Sequence, residues 1–175
     1  MIDANTSRLR LREAKSPRDF ELAVKLFNEY ASSLGIDLGF QGFAKELLCL
    51  VEMYAPSQGC LLLAGRDGLT GGCGAIRRLD DYTCEMKRLY VRPSLRGLGA
   101  GNALAQALIA RACALGYDAV RLDTLASMAS ATRLYRSLGF REIPAYYETP
   151  LQGTLFFELS LDPTCFAADE VRREQ

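Results

Sequence analysis

Apolar residues recur along this chain with two different periods, and the changes of period predict strands that are interrupted by helices. Residues 7–14 alternate polar and apolar side chains, which is typical of a half-buried strand. Ser16 as N-cap and Pro17 in the first turn then predict the start of a helix. Its helical spacing continues to Leu34, just before a glycine that can end a helix. The chain therefore opens with a strand and an amphipathic helix.

The rest of the pattern predicts a sheet with helices on both of its faces. A second helix presents one apolar face formed by Phe43, Leu47, Leu50, Val51 and Tyr54. Strands are predicted over 60–64, 70–78, 84–91, 119–125, 140–147 and 154–161, and helices over 99–115 and 127–138. The order βααβββαβαββ indicates one α/β domain with a mixed central sheet over residues 1–161. A polar extension is expected over 162–175.

Composition narrows the class of protein. The chain has 175 residues, 49% of them hydrophobic, which suits one well-packed domain. Basic and acidic residues number 21 each, so the charge gives no footprint for nucleic acid. Apolar runs fall short of a membrane span, and the N-terminal residues lack the pattern of a signal peptide. We expect a cytoplasmic protein without nucleic-acid or membrane partners.

Two residue types restrict the chemistry further. Histidine is missing from the sequence, which excludes Ser-His-Asp and Cys-His nucleophiles and histidine-based zinc sites. The six cysteines form no C-x-x-C pair and mostly have apolar neighbours, so we expect buried free thiols. Proton transfer must then use carboxylates, tyrosine, lysine, cysteine or water.

The most informative segment is the basic, glycine-rich turn Arg96–Gly101, which follows a predicted strand and opens a predicted helix. The first amides of a helix have no intrahelical partner, and glycines let a ligand approach them closely. Such a turn is typical of a site for pyrophosphate-like anions. A P-loop is excluded because the chain has no Gly-Lys pair. A dinucleotide fingerprint fails because its last glycine position is Asn102 or Leu104.

The turn matches a third pattern, [RQ]-x-x-G-x-[GA], through Arg96, Gly99 and Gly101. A downstream helix reads Ala-Thr-Arg-Leu-Tyr-Arg-Ser-Leu-Gly-Phe over residues 131–140. With these two motifs and its order of elements, the chain resembles the GNAT superfamily, the general N-acetyltransferases that use acetyl-coenzyme A. The resemblance covers nearly the whole chain. It implies acetyl-CoA as cosubstrate, no metal, and the fold of that superfamily.

The resemblance also implies a set of coenzyme contacts. Backbone groups of the strand end would pair with the pantetheine arm, and those of the turn would hold the pyrophosphate. These residues are Leu89, Tyr90, Val91, Arg96, Gly97, Leu98, Gly99, Ala100 and Gly101. Many family members have an asparagine where this chain has Met128. Its hydrogen bond to pantetheine is then missing or replaced by Ser127 or Ser130.

Two catalytic residues are implied in the same way. Glu85 would be the general base, with a pKa raised by partial desolvation in a central strand. The alternative is an ordinary strand-end carboxylate paired with Lys87 or Arg88. Tyr135 would protonate the departing coenzyme thiolate. The alternative for Tyr135 is a plain member of an apolar helix face.

The acceptor would lie between two connections, residues 32–42 and 146–153. Four residues there are candidates for holding an ammonium group by charge or cation–π contact: Asp37, Tyr146, Tyr147 and Glu148. We expect the acceptor to be the amine of a small molecule, an amino acid or a peptide N-terminus, and a homodimer is an open alternative to a monomer. A second hypothesis is a coenzyme A-binding regulatory module without turnover. Retention of both Glu85 and Tyr135 favours the enzyme.

Overall fold

The computed structural model describes residues 8–162, apart from the side chain of Phe40. The strands of that region are β1 Arg10–Glu13, β2 Cys60–Arg66, β3 Leu69–Arg78, β4 Thr83–Val91, β5 Ala119–Leu125, β6 Arg141–Ile143 and β7 Thr154–Ser160. Its α-helices are α1 Pro17–Leu34, α2 Phe43–Leu48, α3 Leu50–Met53, α4 Ala100–Ala114 and α5 Ala129–Ser137. The predicted mixed α/β fold is confirmed. The predicted extension lies outside the described residues from 163 onward, and the division into domain and extension stays a prediction.

The seven strands form one sheet in the order β1-β2-β3-β4-β5-β7-β6. Neighbouring strands are antiparallel except β4 and β5, which run parallel. The β2–β3 hairpin turns at Asp67 and Gly68, whose φ values of 54° and 78° are those that a tight two-residue hairpin requires. Consecutive antiparallel strands thus bring the chain to β4, at the centre of the sheet.

The sheet opens at its centre, between β4 and β5. The parallel ladder pairs Thr83 with Ala119 and ends at Glu85 and Arg121. Three residues after Glu85, Arg88 has a positive φ of 58°, and the register of β4 against β3 shifts at this point, which marks a β-bulge. The bulge turns the end of β4 away from β5. The edge of β4 that faces β5 is therefore left without a ladder partner beyond Glu85.

Helices cover both faces of the sheet and bury two apolar clusters. The helix α1 begins at the predicted N-cap Ser16, which forms a capping box with Asp19, and ends at Gly35, whose φ is 64°. It packs Ala23, Leu26 and Phe27 onto one face. On the other face, α4 and α5 pack against the central strands through residues that include Leu108, Ala112 and Tyr135, and Leu104 of α4 is also fully buried. The apolar core of the domain therefore lies on both sides of the sheet.

The second helix is not continuous, so its prediction as one helix is wrong. It divides into α2 and α3 at Cys49, where φ is −116° and ψ is 24°, outside helical values. The break rotates the residues that follow. Leu50 and Tyr54 stay buried, as expected, whereas Val51 turns outward and is 59% exposed. A single apolar face across both helices therefore does not form.

The predicted strand 140–147 is also too long, since β6 ends at Ile143. Pro144 follows, and proline cannot donate a hydrogen bond to a strand ladder. The chain then turns back, so that Tyr146 and Tyr147 pack edge-on against Phe156 at ring distances of 5.1 Å.

In the described part of the chain, no helix is long and apolar enough to cross a membrane. The cytoplasmic location stays a prediction.

Candidate active site

A groove of about 570 Å³ follows the open edge of β4 and continues along the start of α4 to α5. The glycine-rich turn forms one end of it. Gly97 and Gly99 have φ values of 75° and 78°, which L side chains rarely adopt, and a Cβ at either would meet open space. Gly101 lies in the first turn of α4, and its Cβ would contact only Val91 and Leu134, both at 3.8 Å. Backbone amides are therefore accessible from the groove.

Most residues predicted to bind the coenzyme line this groove. They are Leu89, Tyr90, Val91, Arg96, Gly97, Gly99, Ala100, Gly101 and Ser130. Leu98 and Ser127 do not line it, and Leu98 is 44% exposed. Met128 does line it, at the position where the resemblance to the family predicts an asparagine. The Nε of Arg96 donates a hydrogen bond to the carbonyl of Val91 at 3.0 Å, which holds the turn against the end of β4.

The groove continues into a narrower space of about 40 Å³, here termed the inner cleft. Tyr30, Leu89, Met128 and Tyr135 line both spaces. Tyr135 is 6% exposed, and its ring packs edge-on against Phe140 at 5.7 Å. Burial raises the pKa of Tyr135 above its ordinary value of 10, so the hydroxyl stays protonated at neutral pH. A buried, protonated hydroxyl group therefore lies at the junction of the two spaces.

The inner cleft has apolar walls and a polar floor. Its wall residues include Leu34, Ile36, Leu38, Leu125 and Leu151, and its polar residues include Gln41, Lys87, Arg88 and Asp123. Lys87 lies between two carboxylates, with its Nζ 3.5 Å from Oδ1 of Asp123 and 3.7 Å from Oε1 of Glu85. The amide nitrogen of Gln41 donates to Oδ2 of Asp123 at 3.4 Å. A carboxylate that faces the cleft is thus held between an ammonium and an amide.

Glu85 occupies a different environment from the one expected. It is 1% exposed and does not line the inner cleft. Its carboxylate accepts hydrogen bonds from Arg77 at 2.9 Å and from the hydroxyl of Tyr146 at 2.8 Å. Burial alone raises the pKa of Glu85, but Lys87, Arg77 and Tyr146 outweigh burial and hold the pKa below its usual value. The expectation of a raised pKa is therefore wrong, and the predicted pairing with Lys87 is present.

Arg88 is tied to the opposite side of the cleft by a buried ion pair. Its Nε donates to both carboxylate oxygens of Glu46 at 3.1 and 3.2 Å, and its Nη1 donates to Gln41 at 3.1 Å. Arg88 and Glu46 are 4% and 1% exposed, and the hydroxyl of Tyr54 also donates to Glu46. The guanidinium lies over the ring of Phe43 at 5.0 Å. The β-bulge and α2 are therefore fixed to one another by charge and packing.

The four predicted acceptor residues do not come together in the inner cleft. Asp37 is exposed and accepts a hydrogen bond from the amide of Gly39 at 2.7 Å. Such a contact stabilises a local turn. Tyr146, Tyr147 and Glu148 line a separate, open cavity of about 640 Å³. Tyr147 reaches the cleft indirectly, because the amide nitrogen of Gln41 donates to its hydroxyl at 3.3 Å.

Sequence reasoning missed Gln41, Lys87 and Asp123 as residues of the site. The alternation of side chains along β4 places Glu85 and Lys87 on one face, and this much was visible in the sequence. The approach of Asp123 depends on the parallel pairing of β4 with β5, and that of Gln41 depends on the path of residues 35–42. Neither contact has a local sequence signal.

The glycine-rich groove, the open centre of the sheet and the buried tyrosine distinguish this site from a P-loop and from a dinucleotide-binding fold. The family model described as the acetyltransferase (GNAT) family matches residues 45–140. An uncharacterized N-acetyltransferase of Schizosaccharomyces pombe is 36% identical over 157 residues, which cover 89% of this chain and 96% of that protein. The chain belongs to the GNAT acetyltransferase family.

Two further likenesses differ in what they cover. The N-acetylaspartate synthetase of Danio rerio is 35% identical over 120 residues, which cover 62% of this chain and only 42% of that protein. A Salmonella typhimurium protein described as an acetyltransferase, solved with its cofactor acetyl-CoA, superposes with a TM-score of 0.63. It covers 88% of this chain and 94% of its own, at 22% identity, and therefore supports the fold alone.

Proposed function

We propose that this protein is an acetyl-CoA-dependent N-acetyltransferase that moves an acetyl group to the amine of a small molecule, an amino acid or a peptide N-terminus. The observation that carries the proposal is the open edge of β4 beyond Glu85, which runs from the glycine-rich turn to the buried hydroxyl of Tyr135. Membership of the family and the N-acetyltransferase names of the relatives support the same reading.

The residues present fit acetyl-CoA. Backbone groups of Leu89 and Val91 on the unpaired edge can hold an extended pantetheine arm as an added strand would be held. The open space beside Gly97 and Gly99 leaves the first amides of α4 free for a pyrophosphate. Leu98 and Ser127 lie outside the lining and have a weaker claim. When bound there, acetyl-CoA supplies a thioester whose acetyl carbon accepts a nucleophile.

The residues at the junction supply the proton transfers. An acceptor ammonium must lose a proton before its nitrogen can form the new C–N bond. As the C–S bond breaks, the Tyr135 hydroxyl gives its proton to the sulfur. The nitrogen loses two protons when the ammonium becomes an amide. One passes through the base to solvent, and the other restores the proton that Tyr135 has given to the sulfur. Because its pKa is raised, the Tyr135 hydroxyl still carries its proton when the thiolate forms.

Two carboxylates compete for the role of base. Asp123 lines the inner cleft together with Tyr135, whereas Glu85 lies outside the lining and is held by Arg77, Lys87 and Tyr146. A base must reach the proton that it removes, so geometry favours Asp123. We assign the base role to Asp123 and leave to Glu85 the positioning of Lys87.

Thiol release from acetyl-CoA tests the function. Purified protein is incubated with acetyl-CoA and a panel of amines, amino acids and short peptides, and free coenzyme A is measured. Acceptor-dependent release that disappears in Tyr135→Phe supports the enzyme. Tight acetyl-CoA binding without release for any acceptor would instead support the regulatory module.

Two variants separate the candidate bases. Asp123→Asn should lower kcat/KM at neutral pH by about 100-fold, the lower end of the range for a positioned base. The loss should shrink as pH rises and the acceptor loses its proton unaided. Glu85→Gln should cost less than Asp123→Asn at neutral pH. The reverse ranking would return the base role to Glu85.

A further inference from the structure

We infer, on the basis of the proposed function, that the acceptor is a primary amine on an apolar body without a carboxylate. The inner cleft carries this inference through two properties. Its cations are already committed to carboxylates of the protein, and its walls are aliphatic. Both properties concern the residues that surround an acceptor, and neither depends on how acetyl-CoA is held.

A free carboxylate on the acceptor would need a cation to replace its water. The two cations of the described cleft lining are Lys87 and Arg88. Lys87 has a 5% exposed side chain and is shared between Glu85 and Asp123 at 3.7 and 3.5 Å. The guanidinium of Arg88 donates its hydrogen bonds to Glu46 and Gln41. An incoming carboxylate would have to compete with these buried partners, which makes its desolvation costly.

The same cleft suits an amine well. Asp123 is the carboxylate of the lining, with a side chain 16% exposed, and it can take the hydrogen of an acceptor ammonium. Ile36, Leu38 and Leu151 contribute aliphatic surface from two different connections of the chain. An alkyl group beside the amine would bury apolar area there without displacing an ion pair. Aspartate, the amine part of the N-acetylaspartate for which one relative is named, carries two carboxylates and lacks such an alkyl group.

A matched pair of acceptors tests the inference: 3-methylbutylamine and leucine, which differ by one carboxylate on the carbon that bears nitrogen. We expect kcat/KM for the amine to exceed that for leucine by at least about 10-fold, the lower end of what one mismatched pocket group costs. The alkylamine is the more fully protonated of the two at neutral pH, which works against this result. Aspartate and 1,5-diaminopentane complete the panel. A preference for leucine, aspartate or the diamine would overturn the inference while leaving acetyl transfer standing.

A cation added to the wall should reverse the preference. Ile36→Lys places an uncommitted ammonium at the half-buried Ile36, in the connection after α1, and should raise the leucine-to-alkylamine ratio of kcat/KM by about 10-fold. The matched control is Leu48→Lys, since Leu48 is 87% exposed and outside the cleft lining. An unchanged ratio in a folded Ile36→Lys protein would contradict the inference.

Binding without turnover separates the two proposals. Calorimetry of each acceptor against the protein saturated with coenzyme A reports the cleft directly. If no amine is acetylated but 3-methylbutylamine still binds more tightly than leucine, the proposed function fails and the inference about the cleft stands. If leucine or aspartate binds more tightly than the alkylamine, the inference fails whatever the turnover.

Discussion

The groove and the inner cleft meet at Tyr135, yet they are built in different ways. The groove is formed largely by residues 89–101, which are close in sequence, and it offers backbone groups beside glycines. The inner cleft is formed by side chains from distant parts of the chain, such as Gln41, Lys87 and Asp123, held by ion pairs and hydrogen bonds. A site for a constant cosubstrate can be encoded locally, whereas a site for a variable acceptor depends on tertiary contacts.

The largest effect should come from the side-chain network. Glu46→Gln leaves the guanidinium of Arg88 buried without its countercharge, which typically costs about 3–5 kcal/mol. We expect the free energy of unfolding, measured with denaturant, to fall by that amount. The control is Glu142→Gln in the exposed pair with Arg136, which should cost less than about 1 kcal/mol. Equal losses in the two variants would mean that the buried pair does not hold the cleft.

The next effect lies at the junction. Tyr135→Phe keeps the ring packing against Phe140 and removes only the hydroxyl. If Tyr135 is the proton donor, kcat should fall by about 100-fold, or about 2.7 kcal/mol, while thermal stability and acetyl-CoA affinity stay close to wild type. Because burial raises the pKa of Tyr135 above 10, wild-type kcat should not decline between pH 7 and 10 through loss of this proton. A Phe variant with full turnover would make Tyr135 a core residue.

A smaller effect is expected when the backbone-built groove is blocked. Gly101→Leu projects a side chain between Val91 and Leu134 without backbone strain, because Gly101 has no positive φ. Acetyl-CoA binding in calorimetry should weaken at least 10-fold, which is about 1.4 kcal/mol. Gly101→Ala is the matched control, and its α4 should be more stable by roughly 0.5–1 kcal/mol. Unchanged binding of acetyl-CoA by the leucine variant would mean that the coenzyme does not bind at this end of the groove.

The smallest effect concerns acid stability near the inner cleft. Lys87, Arg77 and Tyr146 hold the pKa of Glu85 below its unfolded value of 4.5, although burial opposes them. The ionised carboxylate therefore stabilises the fold fully above pH 4.5, and this contribution is lost as pH falls below that value. Glu85→Gln should be less stable than wild type at pH 7, and the difference should narrow below pH 4.5. A difference that is constant with pH would show that the ion pairs of Glu85 contribute nothing to folding.

The order βααβββαβαββ, the capping box of α1 and the glycine-rich turn could be predicted because each depends on residues near in sequence. The same holds for Tyr135, whose place in α5 follows from helical spacing. The two errors of the fold prediction also have local causes. Pro144 ends β6 early, and non-helical dihedrals at Cys49 divide the second helix. Of these two causes, the proline was visible in the sequence.

The sequence by itself determined the family, the groove and the place of Tyr135 in α5, because secondary-structure periods and glycine-rich turns act over a few residues. Only the tertiary structure decided the environment of Glu85 and the membership of the inner cleft. Whether a carboxylate is a base or an ion-pair partner depends on which charges approach it within about 4 Å. For Glu85 and Asp123, those charges and the shape of the cleft come from β3, β4 and the connection after α1, and the parallel pairing of β4 with β5 brings them together.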